Sequence, residues 1–161
     1  MGQRPEAEVI TLTLPARAEY VSIARLTVSG IANRMGFPYE DIEDIKLAVA
    51  EACTNVVEHA YDCPQGNDQL RLSCWLLADR LVVEVRDKGK GLPLEDRQEA
   101  PAPIRPDVDI DEVKEGGLGL YLIHSVMDEV QVSSNDGVAV TMTKYLQRDE
   151  VSCDDRAISK A

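Results

Sequence analysis

EACTNVVEHAY, residues Glu51 to Tyr61, strings an acid, an amide and an imidazole through what is otherwise an apolar helical pattern. Around it Ile42, Ile45, Val49, Ala52 and Val56 recur at steps of 3, 4, 3 and 4, which predicts a helix from about Tyr39 to Tyr61 with one face covered by a sheet or another helix. Glu51, Asn55 and His59 are four residues apart, so each steps about 40° round that helix and the three form a near-axial row beside the apolar stripe. An amide oxygen is a hard ligand suited to Mg²⁺, which completes its shell with waters and phosphate oxygens. A carboxylate one turn away could orient or deprotonate an attacking hydroxyl. The same residues would also suit a plainer role, with Glu51 and His59 exposed and Asn55 hydrogen-bonded at the core margin. The acids Glu40, Asp41, Glu43 and Asp44 fill the first turns, where the helix dipole favours them.

Working outward, EVITLTL at residues 8–14 alternates Val9, Thr11 and Thr13 against Ile10, Leu12 and Leu14, the period of a half-buried strand that Pro15 closes. From about Arg17 to Met35, apolar Val21, Ala24, Val28, Ile31 and Met35 predict a first amphipathic helix, stopped by Gly36 and Pro38. On the other side, CPQGND at 63–68 is a turn, followed by strands Gln69–Leu77 and Arg80–Asp87 joined through Ala78-Asp79. Lys88 to Glu115 contains Pro93, Pro101, Pro103 and Pro106 with no sustained period, and a stretch of that length reads as a lid or binding loop. Gly116-Gly117 opens a third helix with Leu118, Leu122, Val126 and Met127 expected to point inward. Val130–Ser134 and Gly137–Tyr145 read as a last hairpin around Asn135-Asp136-Gly137, and the residues after Leu146 as a frayed tail. This order predicts an α+β two-layer sandwich: a mixed, mostly antiparallel sheet with helices on one face.

Composition narrows the function classes. At 161 residues with 44% hydrophobic and 29% charged residues, the chain fits one globular domain without a membrane span, which needs about 18 or more consecutive apolar residues. The start, MGQRPEAEVI, carries no basic-then-apolar leader pattern, so a cytoplasmic protein is expected. A formal charge of −12 opposes direct nucleic-acid binding, which draws its affinity from Lys and Arg; it suits protein partners with basic surface and equally a charge that serves solubility alone. Cys53, Cys63, Cys74 and Cys153 lack metal-site spacing and read as reduced thiols.

Two glycine clusters complete the pattern. Asp87-Lys88-Gly89-Lys90-Gly91 places a carboxylate at a strand end, able to accept from an exocyclic amine, with glycines that let backbone approach a flat ring. Gly116-Gly117-Leu118-Gly119 opens a helix after the long segment, and glycines there expose backbone N–H groups and the positive helix end to phosphate. A hairpin turn and a flexible hinge are the plain alternatives for these two. In the order N-x-x-x-H helix, D-x-G-x-G and G-G-x-G, the three together resemble the Bergerat (GHKL) ATP-binding fold of the gyrase, histidine-kinase and MutL superfamily. More closely, EACTNVVEHAY, YVSIARLTVSGIANRMGF and EGGLGLYLIHSVMDEVQV resemble the RsbW-type anti-sigma-factor serine kinases, over roughly residues 8–147.

That resemblance implies ATP and Mg²⁺ as cofactors, with Asn55 holding the metal, Glu51 acting as base toward a serine hydroxyl and Asp87 reading the adenine amine. It implies that Gly89 and Gly91 shape the adenine pocket, that Gly116, Gly117, Leu118 and Gly119 close over the triphosphate, and that His59 and Lys114 lie near phosphate. It further implies a single kinase domain at 1–147 with a lid at about 92–116, a flexible tail at 148–161, and a homodimer. The implied partners are a sigma-B-type sigma factor, sequestered through a surface that includes Arg25, and an RsbV-type anti-anti-sigma factor that is the phosphorylation substrate. The wider superfamily often has a threonine after the last hairpin's glycine; here Gly137-Val138-Ala139 stands there, with Thr141 or Thr143 as substitutes. An ATP-dependent binding module without kinase activity and a histidine-kinase-type catalytic domain remain the alternatives.

Overall fold

In the computed structural model, residues 7–62, 68–87, 117–133 and 138–147 are described. The lid at 92–116, Gly89, Gly91, Lys114, Gly116, the turn at 134–137 and the tail fall outside them, as does the His59 side chain. Chain order is β1 (Glu8–Pro15), a 3-10 turn (Ala18–Tyr20), α1 (Val21–Met35), α2 (Tyr39–Asp62), β2 (Gln69–Leu76), β3 (Arg80–Asp87), α3 (Gly117–Val126), β4 (Glu129–Ser133) and β5 (Ala139–Tyr145).

The five strands form one sheet in the order β1-β2-β3-β5-β4. Among the described residues all four neighbouring pairs are antiparallel, which bears out the mostly antiparallel sheet and gives the expected mixture no parallel pair there. The cause lies in the connections. Two helices separate β1 from β2, so the chain crosses the molecule twice and returns to the end it left. The single helix α3 makes β4 run the same way as β3, but β5 lies between them and removes the parallel contact.

Alternation along the strands sorts two faces. Leu70, Leu72, Cys74, Leu81, Val83, Val85, Val140 and Met142 lie under the helices in the main core, with Ala24, Val28, Ile31, Ile45, Val49, Ala52 and Val56 from α1 and α2 above them. β1 is an edge strand, and its burial fades from Leu14 through Leu12 to Ile10, which is 40% exposed. Gly36 ends α1 in a left-handed conformation, φ 91°. Its N–H donates to Asn33 O at 3.1 Å and that of Phe37 donates to Ala32 O at 3.1 Å, a Schellman closure that buries Phe37 and reverses the chain into α2.

α3 is buried through Leu120, Ile123 and Met127, while Leu122 and Val126 are half-buried. Of the expected inward set, Met127 is buried and Val126 packs half-buried against the core, Leu122 is half-buried, and the Leu118 side chain lies outside the described residues; the correction is that Leu120 and Ile123 carry the burial within the helix. Thr141 and Thr143 alternate with Val140 and Met142 and so point away from the helices, where Thr141 Oγ1 donates to Glu84 Oε2 at 3.3 Å. Neither can stand in for a threonine on the helix side of the sheet.

Candidate functional site

α2 carries Glu51 and Asn55 half-buried, because they flank the stripe formed by Ala52 and Val56, which is fully buried. The first turn of α3 closes against them. A Cβ built on Gly119 would lie 3.2 Å from Glu51 Oε2, 3.4 Å from Asn55 Oδ1 and 3.6 Å from Asn55 Nδ2. A Cβ there would press the carboxylate by a few tenths of an ångström, so glycine gives α3 its close approach.

The strand registers fix where the remaining site residues stand. Leu81 pairs with Lys144 at one end of β3, and Asp87 pairs with Leu70 at the other. Lys144 Nζ donates to Asp44 Oδ2 at 3.3 Å, so the early part of α2 lies over the first end of β3. From there α2 runs about 16 Å to Asn55, and β3 runs about 20 Å to Asp87. Asp87 therefore sits at the same end of the molecule as Asn55 and Gly119. It continues the series Leu81, Val83, Val85 on the helix-facing side, is buried, and its N–H donates to Val138 O at 3.0 Å.

α3 runs back along α2 in the opposite direction. Gly119 meets Glu51 and Asn55 at one end, and at the other Val126 O accepts from the same Lys144 ammonium that pairs with Asp44. The predicted residues divide accordingly. Glu51, Asn55 and Gly119 are in mutual reach, Asp87 shares their end and face, and Gly117 opens α3 just before Gly119. Arg25 is exposed on α1. The sequence reading missed Lys144; its signal is a charge at the third covered position of the series Val140, Met142, Lys144.

A helix start offers N–H donors to an anion, and a carboxylate and an amide within one turn of each other offer oxygens of the kind Mg²⁺ accepts, with a buried carboxylate at the adjacent strand end. Cys53 and Cys74 take no part: both are free and buried in the core, and burial pushes each thiol from 9.0 up to about 12. Among the described residues no helix is long and apolar enough to cross a membrane.

Residues 14–144 match the profile of the histidine kinase-like ATPase domain, which defines the class. A protein described as serine-protein kinase RsbW from Halalkalibacterium halodurans is 51% identical over 91% of this chain and 88% of its own length. The Bacillus subtilis protein of the same description is 46% identical over 92% of each. The chain belongs to the RsbW family of serine-protein kinases. A crystal structure of the RsbU and RsbW domains of a Mycobacterium tuberculosis protein superposes with a TM-score of 0.60 at 21% identity, covering 88% of this chain and 33% of that one. That likeness concerns the fold.

Proposed function

We propose that the chain transfers the γ-phosphoryl group of ATP to a serine of a partner protein, with Glu51, Asn55, Asp87 and the α3 N-terminus as its working groups. The observation that carries this is the contact at Gly119, which brings a helix start directly onto a carboxylate and an amide. Mg²⁺ held through Asn55 would offset phosphate charge. Phosphoryl transfer needs mainly positioning and electrostatic help, so the protein's task is largely geometric. Asp87, buried at the end of β3, accepts from the adenine amine, and the α3 amides receive phosphate oxygens. Glu51 orients the serine hydroxyl and accepts its proton. His59, Lys114, Gly89, Gly91, Gly116 and Leu118 complete the nucleotide site in this reading, and the stretch 92–116 acts as its lid.

The partners in this reading are those that the family resemblance implies. A homodimer in the cytoplasm binds a sigma-B-type sigma factor through a surface that includes Arg25. It also phosphorylates an RsbV-type antagonist, which then no longer displaces the sigma factor. The acidic chain, at −12, suits protein partners with basic surface.

Two variants test the assignment with γ-labelled ATP and the antagonist protein. Asn55→Ala should abolish Mg²⁺-dependent nucleotide binding while leaving the unfolding midpoint unchanged; undiminished ATP affinity removes the metal assignment. Glu51→Ala should bind ATP and the sigma factor yet transfer no label. Equal labelling by that variant removes the base role, and ATP binding without label in the unaltered protein favours a pure binding module.

A further inference from the structure

Lys144 is 9% exposed, on the side of the sheet covered by the helices, in series with fully buried Val140 and Met142. A lysine is costly there unless its donors are satisfied by charge and hydrogen bonds. Its Nζ donates to Val126 O at 2.6 Å and to Asp44 Oδ2 at 3.3 Å, and lies 3.9 Å from Asp41 Oδ1. One ammonium thus ties the last residue of α3 to the first turns of α2. It satisfies a helix-terminal carbonyl that has no partner within its helix and complements the negative end of the α3 dipole.

We propose that Lys144 is a positioning residue for the nucleotide site, acting through α3. α3 has only ten residues, too few to hold a helix alone, so its placement depends on what it packs against. Leu120, Ile123 and Met127 fix its rotation by apolar burial, which is non-directional and does not set a position along the axis. The Lys144 clamp sets that position. Seven residues, about 10 Å, separate Val126 from Gly119, so the clamp at one end determines where the other end meets Glu51 and Asn55. The acids of the first α2 turns accordingly have a second role beyond the dipole: Asp41 and Asp44 hold the lysine that holds α3. This inference rests on the site reading given above.

The test compares Lys144→Met, Lys144→Arg and Asp44→Asn with Asn55→Ala in steady-state transfer to the antagonist protein, alongside thermal unfolding and hydrogen exchange of the α3 amides. Lys144→Met should raise KM for ATP about tenfold with kcat changed by less than about threefold, and should speed exchange in the first turn of α3. Lys144→Arg, which keeps charge and donors, should recover most of the KM. Asp44→Asn should raise KM about threefold and decides the matter if Lys144→Met does not fold. A KM equal to wild type in Lys144→Met, or in Asp44→Asn where the former is unfolded, overturns the proposal, as does an increase that Lys144→Arg leaves uncorrected. If Asn55→Ala also keeps its ATP affinity, the site itself is misplaced and the proposal falls with it. If Asn55→Ala loses ATP while Lys144→Met does not, only the role of Lys144 is lost.

Discussion

On β3, Leu81, Val83 and Val85 point beneath the helices while Val82 and Glu84 point away from them, and all five are buried. On β2 the pattern repeats, with Leu70, Leu72 and Cys74 on one side and Arg71, Ser73 and Trp75 on the other. Low exposure therefore does not distinguish the faces; their partners do. Beneath the helices the contacts are mostly carbon against carbon, with Lys144 and Asp87 as the charged exceptions at the two ends of β3. On the opposite face Glu84 takes Arg86 Nε at 3.2 Å and Thr141 Oγ1 at 3.3 Å, and Tyr145 OH donates to Glu129 Oε1 at 2.8 Å. The functional end grows only from the first face, where the apolar series of β3 ends in the carboxylate of Asp87.

The contrast can be broken most severely with Leu72→Ala, which opens a cavity beneath the helices and should cost about 2–5 kcal/mol in urea unfolding. A loss under about 1 kcal/mol would make the two faces energetically alike. Gly119→Ala sharpens the point at the functional end. The new Cβ would push the Glu51 carboxylate by a few tenths of an ångström, so phosphoryl transfer should fall about tenfold while the unfolding midpoint holds or rises slightly. Wild-type transfer by this variant would show that the close approach is incidental.

The covered face also predicts an alkaline weakness. Cys53 and Cys74 keep their protons to about pH 12 when folded, whereas an unfolded chain releases them near 9.0. The stability they carry is whole below pH 9 and is lost as pH rises toward 12, at about 1 kcal/mol per thiol for the first unit above 9. Denaturation midpoints measured from pH 8 to 10 check this; a flat profile contradicts it. The smallest effect belongs to the outer face. Glu84→Gln keeps the shape and most hydrogen bonding and should cost about 1 kcal/mol or less by the same denaturation.

The periodic elements could be read directly from the residues. The stripe from Ile42 to Val56, the Gly36 stop and the Val-rich strand from Arg80 to Asp87 each obey one local rule, and the structure follows them to within a residue or two. The rotation of α3 could not be read so, because GLGLYLIHSV is apolar on nearly every side and offers several equivalent stripes. The fold puts Gly119 against α2, on the same row as buried Ile123 and Met127, and this long-range contact is not written in the local pattern. Lys144 shows a related limit: the alternation Val140, Met142, Lys144 marks a charge on the covered face, but its partner Asp44 is 100 residues away and the strand alone does not name it. The Glu51–Asn55 row was visible because helical spacing alone aligns it. Its contact with α3 required the fold.

The reversal at Gly36 has a consequence for how partners could meet this protein. It folds α1 back against α2, so Arg25, ten residues before Met35, stands about 15 Å from the bend, and Glu51, twelve beyond Tyr39, about 18 Å from it. The exposed arginine and the acid thus share one latitude on neighbouring rods. The acid is turned toward α3 at Gly119, so a protein gripping the arginine on α1 would stand level with the acid while meeting a different side of α2.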